Sequence, residues 1–530
     1  MLEKKIKNLL SKAVKKLQKK EGVCFKLGEI EVEAPKEKEH GDYSSNVALT
    51  TAKFFNKNPV QLAQEIKREL EALDKKFGFF KEIKIAGPGF INLFISEKIL
   101  RKSLKEILFK KEKPWEFKKK KKKVLVEFIS ANPTGPLHIG NGRGAFFGDC
   151  LAKILERAGY KVQREYFIND AKHNSQIREL GKTALGISQS YLNEYLKKKI
   201  EKLKDKLKNL KEEEAGFLLA SEIQKDIQCF IKEKLKIKFD KFVSEQKLFD
   251  QGKVDQIFNQ LQKKNLVYER EGAKWLKLSQ FGLPKDEVLI RKDGSPTYFL
   301  SDIAYHKNKI ERGFKKIINI WGADHQGHVE RMKTAMKILG FKGEFEILIS
   351  QIVTLKGGEK LSKRKGRVIC LEDLIEEIGL DACRFFYLTR SLYTPLDFDI
   401  ELAKEKSQRN PLFYIQYAHA RICSVLKKAK KYKIRKINWE LLSHPKEIEL
   451  IKKIIQLPEI IQRCLKDYEL QRIPNYAREI ATAFHQFYEE CKIIGENKDL
   501  TQARLALVLA TKIVLKEVLN LMGISAPEKM

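Results

Sequence analysis

The sequence predicts an α/β molecule: a doubly wound parallel sheet carrying a helical insertion, with a small α+β unit ahead of it and an all-α bundle behind. Three observations carry that expectation. The apolar run at residues 124–129 suits one buried strand, breaks at Asn132-Pro133-Thr134-Gly135-Pro136, and passes into a glycine-dotted helical pattern from about Leu137, the strand, turn and helix order of an open parallel sheet. A second apolar run, Ile317-Ile318-Asn319-Ile320-Trp321, meets Gly322-Ala323-Asp324 and another helical pattern in the same order. From about Asn410 to Met530 the chain is helical in period almost throughout and poor in glycine. Its 530 residues exceed what one core accommodates, and 43% hydrophobic content is enough to fill several.

Taken in order, residues 1 to about 22 place Ile6, Leu9, Leu10, Ala13, Val14 and Leu17 at amphipathic-helix spacing. Ile30-Glu31-Val32-Glu33 alternates as a strand does, residues 41–46 are expected to open a second helix, and a third runs from Pro59 to about Leu73. Residues 81–95 read as two short strands about Gly87-Pro88-Gly89. This α+β unit, residues 1–112, ends at a lysine-rich linker, residues 113–123, because a block of like charge is ordinarily a solvated connection. The sheet region spans 124–400, with a strand at 162–167. Within it, about 170–289 is read as a helical insertion whose Leu192, Leu196, Leu203, Leu207 and Leu210 form a packing stripe. The bundle, 401–530, places helices at 411–430, 445–468, 474–494 and 500–522.

Lys and Arg number 105 against 70 Asp and Glu, a formal charge of +35. That balance favours a polyanionic partner, although lysine-rich surfaces also serve plain solubility. The eight cysteines, at 24, 150, 229, 370, 383, 423, 464 and 491, include no C-x-x-C pair, which argues against a zinc ribbon or disulfide framework and fits a reducing cytoplasm. The N-terminus lacks an apolar signal core, and no run approaches the roughly 18 apolar residues of a membrane span. A cytoplasmic location without membrane association is expected.

The helix after the first core strand carries the chemistry. His138 and Asn141, three apart, share one helix face and aim two donors at one place, while Gly140, Gly142 and Gly144 let a flat ligand approach the backbone. A helix N-terminus there suits a phosphate; the bland alternative is a histidine cap on an ordinary helix. The stretch SANPTGPLHIGN, residues 130–141, resembles the HIGH signature of class I aminoacyl-tRNA synthetases in its arginyl-tRNA synthetase form. Asn141 departs from it, standing where the signature has a second His and keeping a donor amide without a titratable charge. The resemblance implies a Rossmann-type catalytic domain in which Pro133, Gly135, His138, Gly140 and Asn141 hold ATP, with His138 and Asn141 catalytic.

Further along, a basic run at 356–366 is bracketed by glycines, as in a mobile cationic loop that closes over phosphates. Lys360-Leu361-Ser362-Lys363-Arg364 resembles the KMSKS signature, with Leu for Met and Arg for the last Ser. This implies that Lys360, Ser362 and Lys363 bind ATP, the two lysines catalytically. Gly322 and Asp324 match the adenosine-contacting strand end of the family, although an aspartate at a helix N-cap is the commoner reading. Asp324, His325 and His328 could also ligate a metal, but no further Cys/His cluster joins them and no metal site is assigned.

Tyr298 and Asp302 lie one helical turn apart, an aromatic face beside a carboxylate that suits a cation; a core tyrosine and a capping aspartate is the plainer alternative. In arginyl-tRNA synthetases this pattern recognises the arginine side chain, with Glu127, Ser130, Asn132 and Gln326 as further candidates. GDYSSNVAL and AGPGFINLFI resemble the family's additional N-terminal domain, which contacts the tRNA elbow, and make Phe90 and Asn92 candidate base contacts. NPLFYIQYAHARI and the ending LMGISAPEKM resemble the DALR-type anticodon-binding domain. There Tyr414, Tyr417, Tyr488 and Met530 fall where that domain touches bases, though each also reads as a core residue.

The resemblance implies that the carboxylate of arginine attacks the α-phosphorus of ATP, giving arginyl-adenylate and pyrophosphate, before the terminal ribose of tRNA takes the arginyl group. It implies Mg²⁺ bound with ATP, a monomer, and activation that waits for tRNA. Discrimination against lysine is expected to rest on Asp302 and Glu127, because a point-charge ammonium cannot match a planar fork. Two alternatives stay open: another class I synthetase, such as the cysteinyl type, and a non-catalytic tRNA-binding paralogue, which Asn141 invites.

Overall fold

Helix α1 (Leu2–Glu21) turns Ile6, Leu10, Ala13, Val14 and Leu17 inward as its period dictates. Strand β1 (Tyr43–Ser45), helix α2 (Val47–Phe55), helix α3 (Pro59–Asp74), strands β2 (Phe80–Ala86) and β3 (Phe90–Ile95) and helix α4 (Glu97–Phe109) complete the first unit, with an antiparallel sheet ordered β1-β3-β2. The computed structural model describes residues 2–35, 37–109, 117, 119–356, 369–432, 434 and 437–530. Two expectations are corrected here. Residues 30–33 make one bridge, Glu33 to Ser44, and no strand. Residues 43–45 are a strand that pairs with β3, so the helix begins only at Val47.

The core sheet is all parallel and ordered β11-β10-β4-β5-β6. Chain order supplies β4 (Lys123–Glu127), helix α5 (Ile139–Arg157), β5 (Lys161–Ile168), three helices α6 (Ser175–Ala184), α7 (Glu194–Leu207) and α8 (Glu212–Glu233), and then β6 (Lys241–Ser244). Helices α9 (Glu245–Asp250) and α10 (Lys253–Lys263) lead to an antiparallel sheet of β7 (Val267–Arg270), β8 (Ala273–Leu276) and β9 (Glu287–Ile290). Helix α11 (Tyr298–Glu311), β10 (Lys316–Gly322), helix α12 (Val329–Ile338), β11 (Glu344–Ser350) and β12 (Val353–Leu355) close the fold. The 170–289 segment is therefore not purely helical: it holds an edge strand of the core sheet and a small sheet of its own. Four residues, Lys-Phe-Val-Ser, are too short a run to announce β6 by period. The chain builds β5 and β6 to one side of β4 and β10 and β11 to the other, so a crevice opens where β4 and β10 diverge.

Helices α6 and α8 meet backbone to backbone. A Cβ on Gly181 would sit 1.8 Å from the Glu212 carbonyl oxygen, and one on Gly216 1.9 Å from that of Ile177.

After residue 369 come helices α13 (Leu371–Ile378) and α14 (Leu380–Leu388), strand β13 (Leu396–Phe398), which pairs with β12, and helix α15 (Ile400–Lys404). The bundle consists of α16 (Pro411–Lys428), α17 (Pro445–Ile454), α18 (Leu457–Asp467), α19 (Arg472–Glu490) and α20 (Lys498–Met522). The single helix expected at 445–468 is two. Pro458 has no N–H to continue the ladder and instead occupies the first turn of α18. Helix α14 ties the bundle to α5: Arg384, 1% exposed, donates to Asp149 on α5 at 2.7 Å, to the Met522 carbonyl of α20 at 3.2 Å and to the Leu235 carbonyl after α8 at 2.7 Å. None of the described helices is long and apolar enough to cross a membrane.

Candidate active site

A cavity of about 1100 Å³ occupies the crevice. Strand β4 leaves the sheet through Ile129 and Ser130, both at positive φ (68° and 41°). For a β-branched residue this is a strained conformation, and it swings the chain across the sheet's carboxyl edge toward His138. That residue caps α5. Its Nδ1 accepts the Gly140 N–H at 3.1 Å, and the Asn141 side-chain oxygen accepts the His138 N–H at 3.0 Å, so the pair forms a reciprocal capping box. Because Nδ1 accepts, the ring proton sits on Nε2. Desolvation by the cavity walls lowers the His138 pKa, which keeps the ring a neutral donor at neutral pH. Gly142 packs against Leu371 and Tyr387, where a Cβ would meet ring and methyl carbons at 2.9 Å. The Tyr387 hydroxyl donates to the Ile139 carbonyl at 2.7 Å. The backbone of His138 bridges to Cys370, with the Ile139 N–H donating to Ile369 and the Leu371 N–H to Leu137.

The far side is acidic. On α11, Tyr298 donates its hydroxyl to the Asn174 side-chain oxygen at 2.7 Å, and Asp302 sits one turn on. Burial pushes the Asp302 carboxyl up to about 8, with the charges of Glu245 and Glu127 adding and those of Lys309 and Arg331 opposing. Glu127 lines the cavity but arrives paired: Lys309, 0% exposed, donates to one oxygen and Ser130 Oγ to the other at 3.0 Å. Lys309 also donates to Asn319 at 3.0 Å, whose amide meets His306 Nε2 at 2.7 Å. Burial holds His306 far below its usual pKa, and its Nδ1 donates to the Asp302 carbonyl at 2.7 Å.

Of the expected residues, Glu127, Ser130, Asn132, Gly135, His138, Gly140, Asn141, Tyr298, Asp302, Gly322 and Asp324 share this one cavity. Pro133 is buried behind the turn and Gln326 lies on the exposed 3₁₀ segment after β10, and neither lines it. Lys360, Ser362 and Lys363 lie outside the described residues. Asn174 and Glu245 line the cavity without having been singled out. Asn174 follows a charged stretch and looks like a helix cap, which it also is.

At the N-terminal sheet, Phe90 is exposed, but Asn92 is 3% exposed and its oxygen accepts Ser44 Oγ at 2.7 Å. Its side-chain edge is thus turned into the sheet rather than offered to a base. In the bundle, Tyr417 and Tyr488 flank the Arg421 guanidinium at 4.6 and 4.9 Å, and Tyr414 lies 4.7 Å from His485, ring centre to ring centre. Arg421, four residues after Tyr417 on α16, was legible by helical spacing alone. Met530 is exposed at the end of a tail held to α16 by His419 donating to the Pro527 carbonyl.

Three family models match the chain: "Arginyl tRNA synthetase N terminal domain" at residues 4–95, "tRNA synthetases class I (R), catalytic domain" at 103–215 and 173–385, and "DALR anticodon binding domain" at 415–530. A curated arginine–tRNA ligase of Caldanaerobacter subterraneus subsp. tengcongensis is 41% identical over 100% of this chain and 99% of its own. One of Bacillus subtilis is 40% identical over the whole of both. In fold, the chain superposes on arginyl-tRNA synthetase of Thermus thermophilus with a TM-score of 0.81 at 21% identity, covering 100% of each chain.

Proposed function

The chain belongs to the arginyl-tRNA synthetase family and ligates arginine to its tRNA with ATP; from that premise we propose how its residues divide the work. End-to-end similarity to arginine–tRNA ligases sets aside both a synthetase of other specificity and a non-catalytic paralogue. The neutral His138 Nε2–H receives the phosphates of ATP at the positive end of α5, whose Ile139 and Gly140 N–H groups are already taken by Ile369 and by His138 itself. Gly135, Gly140, Gly322 and Asp324 border the nucleoside. Pro133 fixes the turn from behind, and Lys360, Ser362 and Lys363 complete the phosphate site. Asn141 acts mainly through its cap, holding His138 in place, with its amide N–H₂ left to donate. Mg²⁺ comes with ATP.

Asp302 receives the guanidinium and Tyr298 packs beside it, while Ser130 and Asn132 face the α-amino and carboxylate end. Glu127 holds Ser130 and the floor of the pocket through its Lys309 pair. The reaction then needs alignment of two anions and stabilisation of charge on phosphate, with no enzyme nucleophile. Phe90 is proposed to stack on a tRNA elbow base, and Tyr414, Tyr417, Tyr488 and Met530 on the anticodon. The working form is proposed as a cytoplasmic monomer, with domain limits near residues 112 and 400.

The observation that supports this assignment is the cavity itself, with the His138 end of α5 on one wall and, on the other, an aromatic ring beside Asp302, whose carboxylate has no ion-pair partner among the described residues. Pyrophosphate exchange with each standard amino acid, run with and without total tRNA, tests it. Exchange is expected with arginine alone and only when tRNA is present, and Asp302→Asn should raise the KM for arginine by about tenfold or more. An unchanged arginine KM in that variant would overturn the pocket assignment.

A further inference from the structure

Arg143 follows His138 on α5, in the second turn, and no part of the assigned chemistry uses it. It is 1% exposed, so its guanidinium is taken out of water almost completely. One nitrogen, Nη2, donates to the Ser391 carbonyl at 2.5 Å and to the Thr394 carbonyl at 2.6 Å. The other two, Nε and Nη1, find no acceptor among the described residues. Burial lowers the group to about 10, with Tyr387 opposing, so it stays charged at neutral pH. A buried cation with idle donors is costly, and an apolar side chain of similar length would fill the same space without that penalty. Its one satisfied nitrogen shows what the group is placed to hold.

The two carbonyls belong to the turn between α14 and β13, and that turn supports a wall of the cavity. The Leu392 carbonyl accepts the Gln351 N–H at 3.0 Å, and the Ile352 carbonyl accepts the Leu396 N–H at 3.0 Å. Strand β13 continues the pairing along β12, with Val353 opposite Leu396. Ser350, Gln351 and Ile352 line the cavity. Ser350 is the register partner of Gly322 where β11 and β10 end, which sets this wall beside Gly322 and Asp324. The arginine side is carried by other elements: Tyr298 and Asp302 stand on α11, and Ser130 is held by Glu127 at the end of β4. The turn is bonded to the bundle as well, Ser391 Oγ donating to Glu469 at 3.1 Å.

We propose that Arg143 is a positioning residue for ATP: through the 391–394 turn it fixes the spacing between the His138 end of α5 and the 350–352 wall, so that a nucleoside seated on that wall brings its phosphates to His138. The proposal rests on the reading that Gly322 and Asp324 border the nucleoside. One nitrogen bonded to two carbonyls restrains the turn at both its ends. The backbone bonds from Leu392 to Gln351 and from Leu396 to Ile352 then pass that position to the wall with no side chain in between. Arg143 itself does not line the cavity. Spacing is nonetheless what it controls, and a misplacement of about 1 Å between reacting groups can slow a reaction about a hundredfold.

The test uses pyrophosphate exchange by the full-length enzyme with bound tRNA. Arg143→Met removes both bonds at similar side-chain length. It should raise the KM for ATP about tenfold or more and leave the KM for arginine within about twofold of wild type. Two competitive inhibitors separate geometry from charge. Adenosine should bind the variant about tenfold more weakly, as ATP does, whereas inorganic tripolyphosphate should inhibit both proteins alike. The opposite pattern, a loss for tripolyphosphate and none for adenosine, would mean that the guanidinium works by its field on the phosphates, and would overturn the proposal. An equal rise in both KM values would mark a general loosening of the fold and overturn it too. If Arg143→Met does not fold, Arg143→Lys carries the same test, because its ammonium ends one bond short of the guanidinium nitrogens; wild-type inhibition by adenosine in that variant would overturn the proposal. Asp324→Ala checks the nucleoside assignment. If it weakens adenosine while the Arg143 variant does not, the assignment stands and only the role of Arg143 falls; if neither weakens adenosine, the assignment falls with it.

Discussion

His138 divides its two ring nitrogens between structure and chemistry, Nδ1 accepting the Gly140 N–H and Nε2 left to donate. His138→Ala removes both, and losing one preorganised donor to a transition-state oxyanion typically costs about 3 to 4 kcal/mol. Pyrophosphate exchange should therefore slow by roughly two to three orders of magnitude, and a near-normal rate would reject this role. The motif that located His138 was local and so was legible in the sequence. The cap made by Asn141 was not, because a side-chain amide looks the same from sequence whether its oxygen turns inward or its nitrogen turns outward. Nor was the pairing of Glu127 with Lys309. The two stand 182 positions apart and meet only because β4 and α11 pack across the sheet. Sequence named Glu127 as a substrate carboxylate and had no means of seeing that its charge is already matched.

At the scale of elements, long periodic segments were legible and short ones were not. Helices α1, α3 and α20 lie close to where their apolar spacing places them, whereas β1 and β6, three and four residues long, carry no readable period. The packing of α6 on α8 was equally hidden, since Gly181 and Gly216 look like helix weaknesses until their contact is seen. Gly181→Ala forces a methyl group into a carbonyl oxygen and must pry the two helices apart. It should destabilise the protein by about 1 to 3 kcal/mol, read as a lower urea midpoint, while an alanine at Gly186, which has open space but φ +76°, should cost less, about 1 kcal/mol.

At the scale of the whole molecule, Arg384 is the point where α5, α20 and the end of α8 meet. Burial raises the Asp149 carboxyl, but Arg384 and Lys153 more than reverse this and hold it below its ordinary value. A carboxyl depressed by folding adds stability above its unfolded pKa of about 4 and loses that contribution as pH falls through the lower folded value. Arg384→Met should therefore cost about 3 to 5 kcal/mol at neutral pH and less in acid, once Asp149 protonates below its ordinary value; urea titrations giving equal losses at neutral and acid pH would contradict it. The three-part order of the chain was legible from composition and period, but this joint was not, because its partners come from separate parts of the chain. The glycine contact between α6 and α8 has a kinetic side as well. Strand β6 can pair with β5 only after the chain from Ile168 to Lys241 has been brought round on itself, and a loop of roughly 70 free residues is slow to close. Docking of the two helices shortens that loop, so a substitution that parts the glycine pair should slow the pairing of the edge strand β6 with β5.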